Sequence, residues 1–437
     1  MDARLRLLWI TPELPRRGVS AARARWWELL RRIAARHDVT LLTFLDPGDR
    51  DALGELPPGL AAIHHVAREP HVPDDPFALL PATVRGGFSN PALARAIAER
   101  LAAGAYDLLQ LEFTELMHLL PATSLPVLLT VHQLGFAQHL PAWRAAGSRW
   151  PDGPKAAFRH LRDLEWELWA VRQASHVAVM SPEDAARLRR FLPDLPLSVS
   201  PVGVDTATFA PPAEAPPPTT DLLFHGNFGH PPNVDAVRFL AREVLPRLTR
   251  PVTTRVLGQG PAPHLGPSVE WIGAVPDVRP HLAAARVYVA PVRFGTGMRG
   301  KVLEALAMAR PVVTTSVGAE GLGASHGREL LVADSAAELA AAIDTLLADP
   351  ARAAALGRAG RQLVRRRFDW DAIASDHEAL YAATLQAGPA HAATRSGLPG
   401  AAAWRALGPP VTLAAGIAGV AARGLGRYGR TLLPGLA

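Results

Sequence analysis

The 437-residue sequence contains no cysteine, which removes disulfide cross-links, thiolate metal sites and cysteine nucleophiles together. Any chemistry must therefore come from oxygen, nitrogen or backbone groups. Lysine is almost as scarce: only Lys155 and Lys301 stand among 46 basic residues, so arginine fills nearly every position where either would serve. A lysine kept against that bias draws attention to its surroundings. The N-terminus lacks a basic leader followed by a long apolar run, because Leu7-Leu8-Trp9-Ile10 is stopped by Pro12. A cytoplasmic protein is the expectation. Acidic residues are missing from residues 384–437, which carry Arg395, Arg405, Arg423, Arg427 and Arg430; removing these five from the net charge of +6 leaves +1 for the rest. A nearly neutral body lacks the broad basic footprint that displaces counterions from a phosphate backbone, so no nucleic-acid partner is expected.

What is present is an ordinary globular composition, 49% hydrophobic and 20% charged. At roughly 150 residues per domain the length predicts two or three cores. The first half alternates short apolar runs with helical periodicity. Strands are predicted at residues 5–10, 38–44, 106–111, 125–131 and 176–180, and helices at 21–36, 92–102 and 155–173. Ser181-Pro182-Glu183-Asp184 opens another helix with a capping serine, a first-turn proline and acids at the positive dipole end. The proline-dense residues 209–220 read as a linker. The alternation then restarts, with strands at 221–225, 254–257, 269–272, 287–291 and 311–315, and helices at 234–248, 277–284, 301–309, 336–347 and 351–366. Such β-α-β alternation implies parallel sheets covered on both faces. The fold class is thus α/β, with an N-terminal domain over 1–208, the linker 209–220, a second domain over 221–367, a closing helix at 368–385 and a basic tail at 386–437. Ligands of open α/β sheets sit outside the carboxyl ends of the strands, so functional residues are expected in strand-to-helix loops facing a cleft.

The most informative loop runs Arg293-Phe294-Gly295-Thr296-Gly297-Met298-Arg299-Gly300-Lys301-Val302-Leu303-Glu304. Glycines such as Gly295 and Gly297 let a ligand approach the backbone, and the helix start that follows offers unpaired N–H groups. Arg299 and Lys301 add two charges where the helix dipole disfavours cations, so an anion is expected to neutralise them. As a P-loop, the spacing Gly295-x-x-x-x-Gly300-Lys301 fits, but Val302 replaces the magnesium-binding hydroxyl. As a dinucleotide fingerprint, Gly295-x-Gly297-x-x-Gly300 fits, with Glu320 somewhat beyond the usual acidic position.

Residues 290–322, together with Gly226-Asn-Phe-Gly-His-Pro-Pro-Asn-Val-Asp-Ala236, Leu257-Gly-Gln-Gly-Pro261, Gly273-Ala-Val-Pro-Asp277 and Val202-Gly-Val-Asp205, closely resemble the nucleotide-sugar site of glycosyltransferase family 4. The resemblance covers about residues 5–385 and is strongest in the second half. It implies the GT-B architecture of two Rossmann-like domains and transfer of a sugar from a nucleoside diphosphate sugar, of UDP or GDP type, with retention at the anomeric carbon. The acceptor would be a saccharide or a lipid-linked saccharide, in surface polysaccharide or glycolipid synthesis. No cofactor or metal would be required. Arg299 and Lys301 would stabilise the departing diphosphate, and Glu304 would hold the ribose hydroxyls. His132, directly after a strand, matches a histidine lining the sugar pocket, and Gly18 half of a glycine pair facing phosphate. Gly226 lies in a matching turn, and Glu320 would meet ribose or acceptor.

Plainer readings stand beside these. Glu304 suits a first-turn acid complementing the dipole, His132 a structural hydrogen-bonder, Gly18 a tight turn, and Glu320 a loop cap. Asn227 and Asn233 are read as turn formers, and Glu165 as a helix-surface acid. The chain departs from the commonest family pattern at Thr296, where many members carry a glutamate for the donor sugar. The tail combines the apolar residues 411–422 with Arg423, Arg427 and Arg430 on one helical face, which points to a peripheral contact with an anionic membrane surface. A nucleotide-sugar epimerase of the same architecture and a non-catalytic nucleotide-sugar-binding module remain open alternatives.

Overall fold

The computed structural model describes residues 4–18, 20–68, 84, 88, 90–137, 140, 152–214, 216–295 and 297–389. The basic tail beyond 389 and Thr296 lie outside the described residues. The described chain divides into two compact units, one drawn from Met1–Ser200 and Ala374–Ala437, the other from Pro201–Ile373.

The first unit holds a seven-stranded, all-parallel sheet: β1 (Arg6–Thr11), β2 (Asp38–Leu45), β3 (Ala62–Ala67), β4 (Leu108–Glu112), β5 (Val127–Val131), β6 (His176–Val179) and β7 (Leu197–Val199), in the order β3-β2-β1-β4-β5-β6-β7. The central strands are buried over almost their whole length, as a sheet covered by helices on both faces requires. The helices start at strong caps. Ser20 accepts from the Arg23 N–H, Asn90 from the N–H groups of Ala92 and Leu93 ahead of Pro91, and Ser181 from the Asp184 N–H. Each such cap is worth about 1 kcal/mol.

The second unit repeats the plan with six parallel strands: β8 (Thr220–His225), β9 (Thr254–Leu257), β10 (Glu270–Gly273), β11 (Ala285–Ala290), β12 (Val312–Thr314) and β13 (Leu331–Val332), ordered β10-β9-β8-β11-β12-β13. Ser335 and Glu338 form a capping box for the helix Ala336–Ala348. In both sheets the winding direction reverses once, between β1 and β4 and between β8 and β11. The crevice beyond the strand ends at such a reversal is where open α/β sheets bind ligands. The expected α/β class and Rossmann-like units are therefore the observed ones.

Three differences from the sequence expectations have local causes. The helix expected to run to 248 is regular only over Pro231–Phe239; it widens into a π turn at Leu240–Val244 and tightens at Leu245–Arg247, where Pro246 offers no N–H to the ladder. Strands β3, β7 and β13 had no expected counterpart, being edge strands or only two or three residues long. The proline-dense residues 209–220, expected as a linker, belong to the second unit. The segment before them is fastened there by the Val204 N–H donating to Phe368 O and by the Thr206 hydroxyl bonding Asp369 at 2.5 Å.

Candidate functional site

The reversal in the second sheet brings together the loop after β8 and the loop after β11. Strand β8 ends at His225, followed by Gly226; the glycine-rich loop after β11 leads into the helix Gly300–Ala307. Gly295 and Gly297 both adopt positive φ, +112° and +78°. The Arg299 guanidinium donates to Gly297 O at 2.7 Å, which folds the loop over its own backbone.

Lys301 is the centre of this cluster. Its ammonium donates to Asn233 Oδ1 and lies 4.8 Å above the Phe224 ring, packed so closely against Gly226 that a Cβ there would sit 2.9 Å from Nζ. No carboxylate makes an ion pair with it among the described residues. Burial lowers the Lys301 pKa to about 7, the nearby Arg299 charge adds to the effect, and Glu304 opposes it. Partial desolvation, Lys301 and Arg299 push His230 down as well. The site is thus built to prefer an incoming negative charge, next to the free N–H groups of a helix start.

Glu304 faces the same cluster one turn into the helix. Its Oε2 lies 2.7 Å from His225 Nε2, while His225 Nδ1 is buried without a hydrogen-bond partner among the described residues. The adjoining loops fix the floor. Gly258 has φ +153°, and a Cβ on it would fall 1.7 Å from Gly226 O, so only glycine lets these two turns pass. Glu320 closes the short helix Ser316–Ala319 as its C-cap and is half-buried.

In the first unit the corresponding reversal places the turn after β1, the end of β4 and the end of β5 side by side. Gly18 sits in the first of these with φ +74° and open space where a Cβ would be, so its conformation and no close approach calls for glycine. His132 follows β5 directly. Its Nε2 lies 2.7 Å from Glu112 Oε2, and its ring stacks on Phe113 at 4.6 Å between centroids. Glu112 is fully buried. Burial pushes its carboxyl up, but His132, Arg25 and the Gln110 amide outweigh that and hold it at about 2. Glu165 is exposed on the helix Asp152–Arg172.

The second unit therefore gathers Gly226, Gly295, Gly297, Arg299, Lys301 and Glu304, and the first holds Gly18 and His132. Four residues of these clusters carried no functional expectation: Asn233, His225, Glu112 and Phe113. Asn233 corrects its reading as a turn former, since it lies within the helix Pro231–Phe239 and its carboxamide bridges Lys301 and Asn227 O. Asn227 does form a turn, accepting from the Gly229 N–H at 2.8 Å.

Residues 23–208 match the family model for glycosyltransferase family 4, and residues 219–349 match that for glycosyl transferases group 1. The chain belongs to the group 1 glycosyltransferases. The transferase is similar in fold to sucrose-phosphate synthase from Thermosynechococcus elongatus, at TM-score 0.68 and 21% identity over 88% of this chain and 100% of that one. HepE from Anabaena, solved in complex with UDP-glucose, superposes at TM-score 0.59 and 15% identity over 87% of this chain and 100% of its own. A variant of S. aureus TarM, solved with UDP, fondaparinux and alpha-GlcNAc-glycerol, gives 0.62 and 10% over 86% and 99%. At these identities the likeness concerns the fold. No curated protein matches the sequence of the transferase closely enough to count as a relative. Among the described residues no helix is long and apolar enough to cross a membrane, and no group of His, Asp and Glu is arranged to hold a metal ion.

Proposed function

We propose that the transferase moves a sugar from a nucleoside diphosphate sugar to a saccharide or lipid-linked saccharide, with retention at the anomeric carbon. The observation that carries this reading is Lys301: a half-buried ammonium whose hydrogen-bond partner among the described residues is a neutral carboxamide, beside Arg299, at a helix start. A diphosphate supplies the missing charge. As the bond between the anomeric carbon and the phosphate oxygen breaks, negative charge grows on the leaving group, and the preorganised cations and N–H groups stabilise it more than they stabilise the ground state. The acceptor oxygen forms the new bond to that carbon, and its proton passes to the departing phosphate.

Glu304 supplies the carboxylate for the ribose hydroxyls, with His225 fixing one of its oxygens. In the first unit, His132 is assigned to the sugar. The resemblance supports retention and a role in surface polysaccharide or glycolipid synthesis, and two of the similar structures contain UDP or UDP-glucose. Attachment to an anionic membrane surface through residues 386–437 rests on the charge of that tail.

The test is a thermal-shift series with UDP, GDP, ADP, CDP and NAD on wild type and Lys301→Ala. A ligand at 100 times its Kd adds about 2.7 kcal/mol, a shift of a few degrees. One nucleoside diphosphate is expected to stabilise the wild type and fail on the variant. Stabilisation by NAD alone, or equal stabilisation of both proteins, overturns the reading.

A further inference from the structure

Glu112 and Phe113 are consecutive in sequence, yet both reach the ring of His132. In a regular strand neighbouring side chains point to opposite faces. Here β4 ends at Glu112, and Phe113 takes φ +73°, a left-handed backbone that costs a non-glycine residue on the order of 1 kcal/mol or more. That twist lays the Phe113 ring flat on His132, with 10° between the planes, while Glu112 holds the ring edge. The Phe113 N–H is satisfied by Thr130 O at 2.9 Å, so the strained turn is anchored to β5.

The carboxylate of Glu112 is itself oriented. Its Oε1 accepts from Trp9 Nε1 at 3.0 Å, Gln110 Nε2 at 2.8 Å and the Thr130 hydroxyl at 3.3 Å. Gln110 is fixed in turn by the Tyr381 hydroxyl, which donates to its Oε1 at 2.8 Å. Only Oε2 is left for the ring, with the Arg25 guanidinium 3.8 Å away. His132 Nε2 thus faces a carboxylate at 2.7 Å and the Trp26 indole N–H at 3.3 Å. It cannot donate to one and accept from the other with a single in-plane site. The shorter, charge-assisted contact decides, so Nε2 carries the proton. Burial pushes the His132 pKa down while Glu112 pulls it up, and the net direction is down, which leaves the ring neutral and Nδ1 unprotonated.

We propose that Glu112 and Phe113 are positioning residues that lock His132 as its Nε2–H tautomer, so that the ring offers Nδ1 as a hydrogen-bond acceptor for a sugar hydroxyl. The assignment of the hydroxyl rests on the transferase reading; the tautomer does not. A carboxamide at position 112 makes a sharp contrast. Three donors converge on the Oε1 place, so the amide oxygen must occupy it and the NH2 must face His132. That NH2 donates to Nε2 and moves the ring proton to Nδ1, turning the acceptor into a donor.

The experiment is nitrogen NMR of ring-labelled histidine in the full chain, with His132 assigned by its loss in His132→Gln, for wild type and Glu112→Gln, together with release of nucleoside diphosphate from a panel of UDP- and GDP-hexoses. Wild type is expected to show a protonated Nε2 and an unprotonated Nδ1. Glu112→Gln is expected to show the reverse, with kcat lower by on the order of 100-fold and donor KM within about threefold. A wild type protonated at Nδ1 overturns the proposal without any variant having to fold. A reversed tautomer with unchanged turnover also overturns it, because the acceptor would then serve no substrate. Absence of wild-type turnover with every donor counts against the transferase reading alone, and the tautomer is then decided by the spectra.

Discussion

His225 Nε2 stands 2.7 Å from Glu304 Oε2, joining the last residue of β8 to the helix Gly300–Ala307, one turn in from its start, across 79 positions of sequence. The pair separates the work of the helix start. Lys301 and Arg299 address a diphosphate, and Glu304 keeps one oxygen for hydroxyl donors. Glu304→Gln should therefore weaken UDP on the order of tenfold or more, the value of a charged over a neutral hydrogen bond, and leave inorganic pyrophosphate within about twofold. Calorimetric titration with both ligands checks it; equal losses for both would remove the ribose role.

Lys301 makes binding and stability run in opposite directions with pH. Its pKa falls from 10.5 to about 7 in the folded chain, so above pH 7 the native state has shed a proton that the unfolded chain keeps. Stability of the empty protein should then rise between pH 7 and 10. A nucleotide sugar, whose diphosphate has no protonation step in this range, binds the charged amine, so its affinity should be level below pH 7 and decline above it. Lys301→Arg stays charged and should flatten the decline. Thermal unfolding and calorimetry from pH 6 to 9 measure the two slopes.

Two glycines with positive φ should respond differently to alanine. At Gly18 the added Cβ meets nothing, so only the backbone conformation is penalised, by about 1 kcal/mol. At Gly258 it meets Gly226 O, a backbone atom, and the loss should exceed about 2 kcal/mol and disturb ligand binding with it. Midpoints of urea unfolding for the two variants give the comparison.

Glu167 offers a pH effect of the other sign. The N–H groups of Gly135 and Phe136 donate to it at 2.6 and 3.4 Å, yet burial outweighs them and, with Glu115 and Asp163 nearby, its pKa is well above the usual carboxylate range. A carboxyl raised in the native state contributes its stability at low pH and loses it as pH rises through the native value. Glu167→Gln keeps an acceptor without the charge, so its melting temperature relative to wild type should improve from pH 5 to pH 8.

The second unit's site was legible because its signals are local. Glycines, two cations and an acid fall within one strand-to-helix loop, and a lysine retained in an arginine-rich chain marks the spot. Asn233 was not, since its helix position and its partner 68 residues away are decided by how β8 and β11 pair. Glu112 was hidden for the same reason. In sequence it ends an apolar strand, and only the alignment of β1, β4 and β5 brings Trp9, Thr130 and His132 to its two oxygens. The helix Asp152–Arg172 was readable from periodicity alone, whereas β13, with two residues, has no periodicity to read.

The first unit is discontinuous in the chain, and this sets an order of events during synthesis. Tyr381 bonds Gln110, and Glu378 bonds His37, so the polar interior of the first sheet is completed by residues that leave the ribosome only after Pro201–Ile373 has emerged. The second unit, uninterrupted in sequence, can finish while the first still waits for its last helix. A chain halted anywhere between Ser200 and Trp370 would leave Gln110 and His37 without these partners, and its N-terminal half would be the part that chaperones and proteases find open.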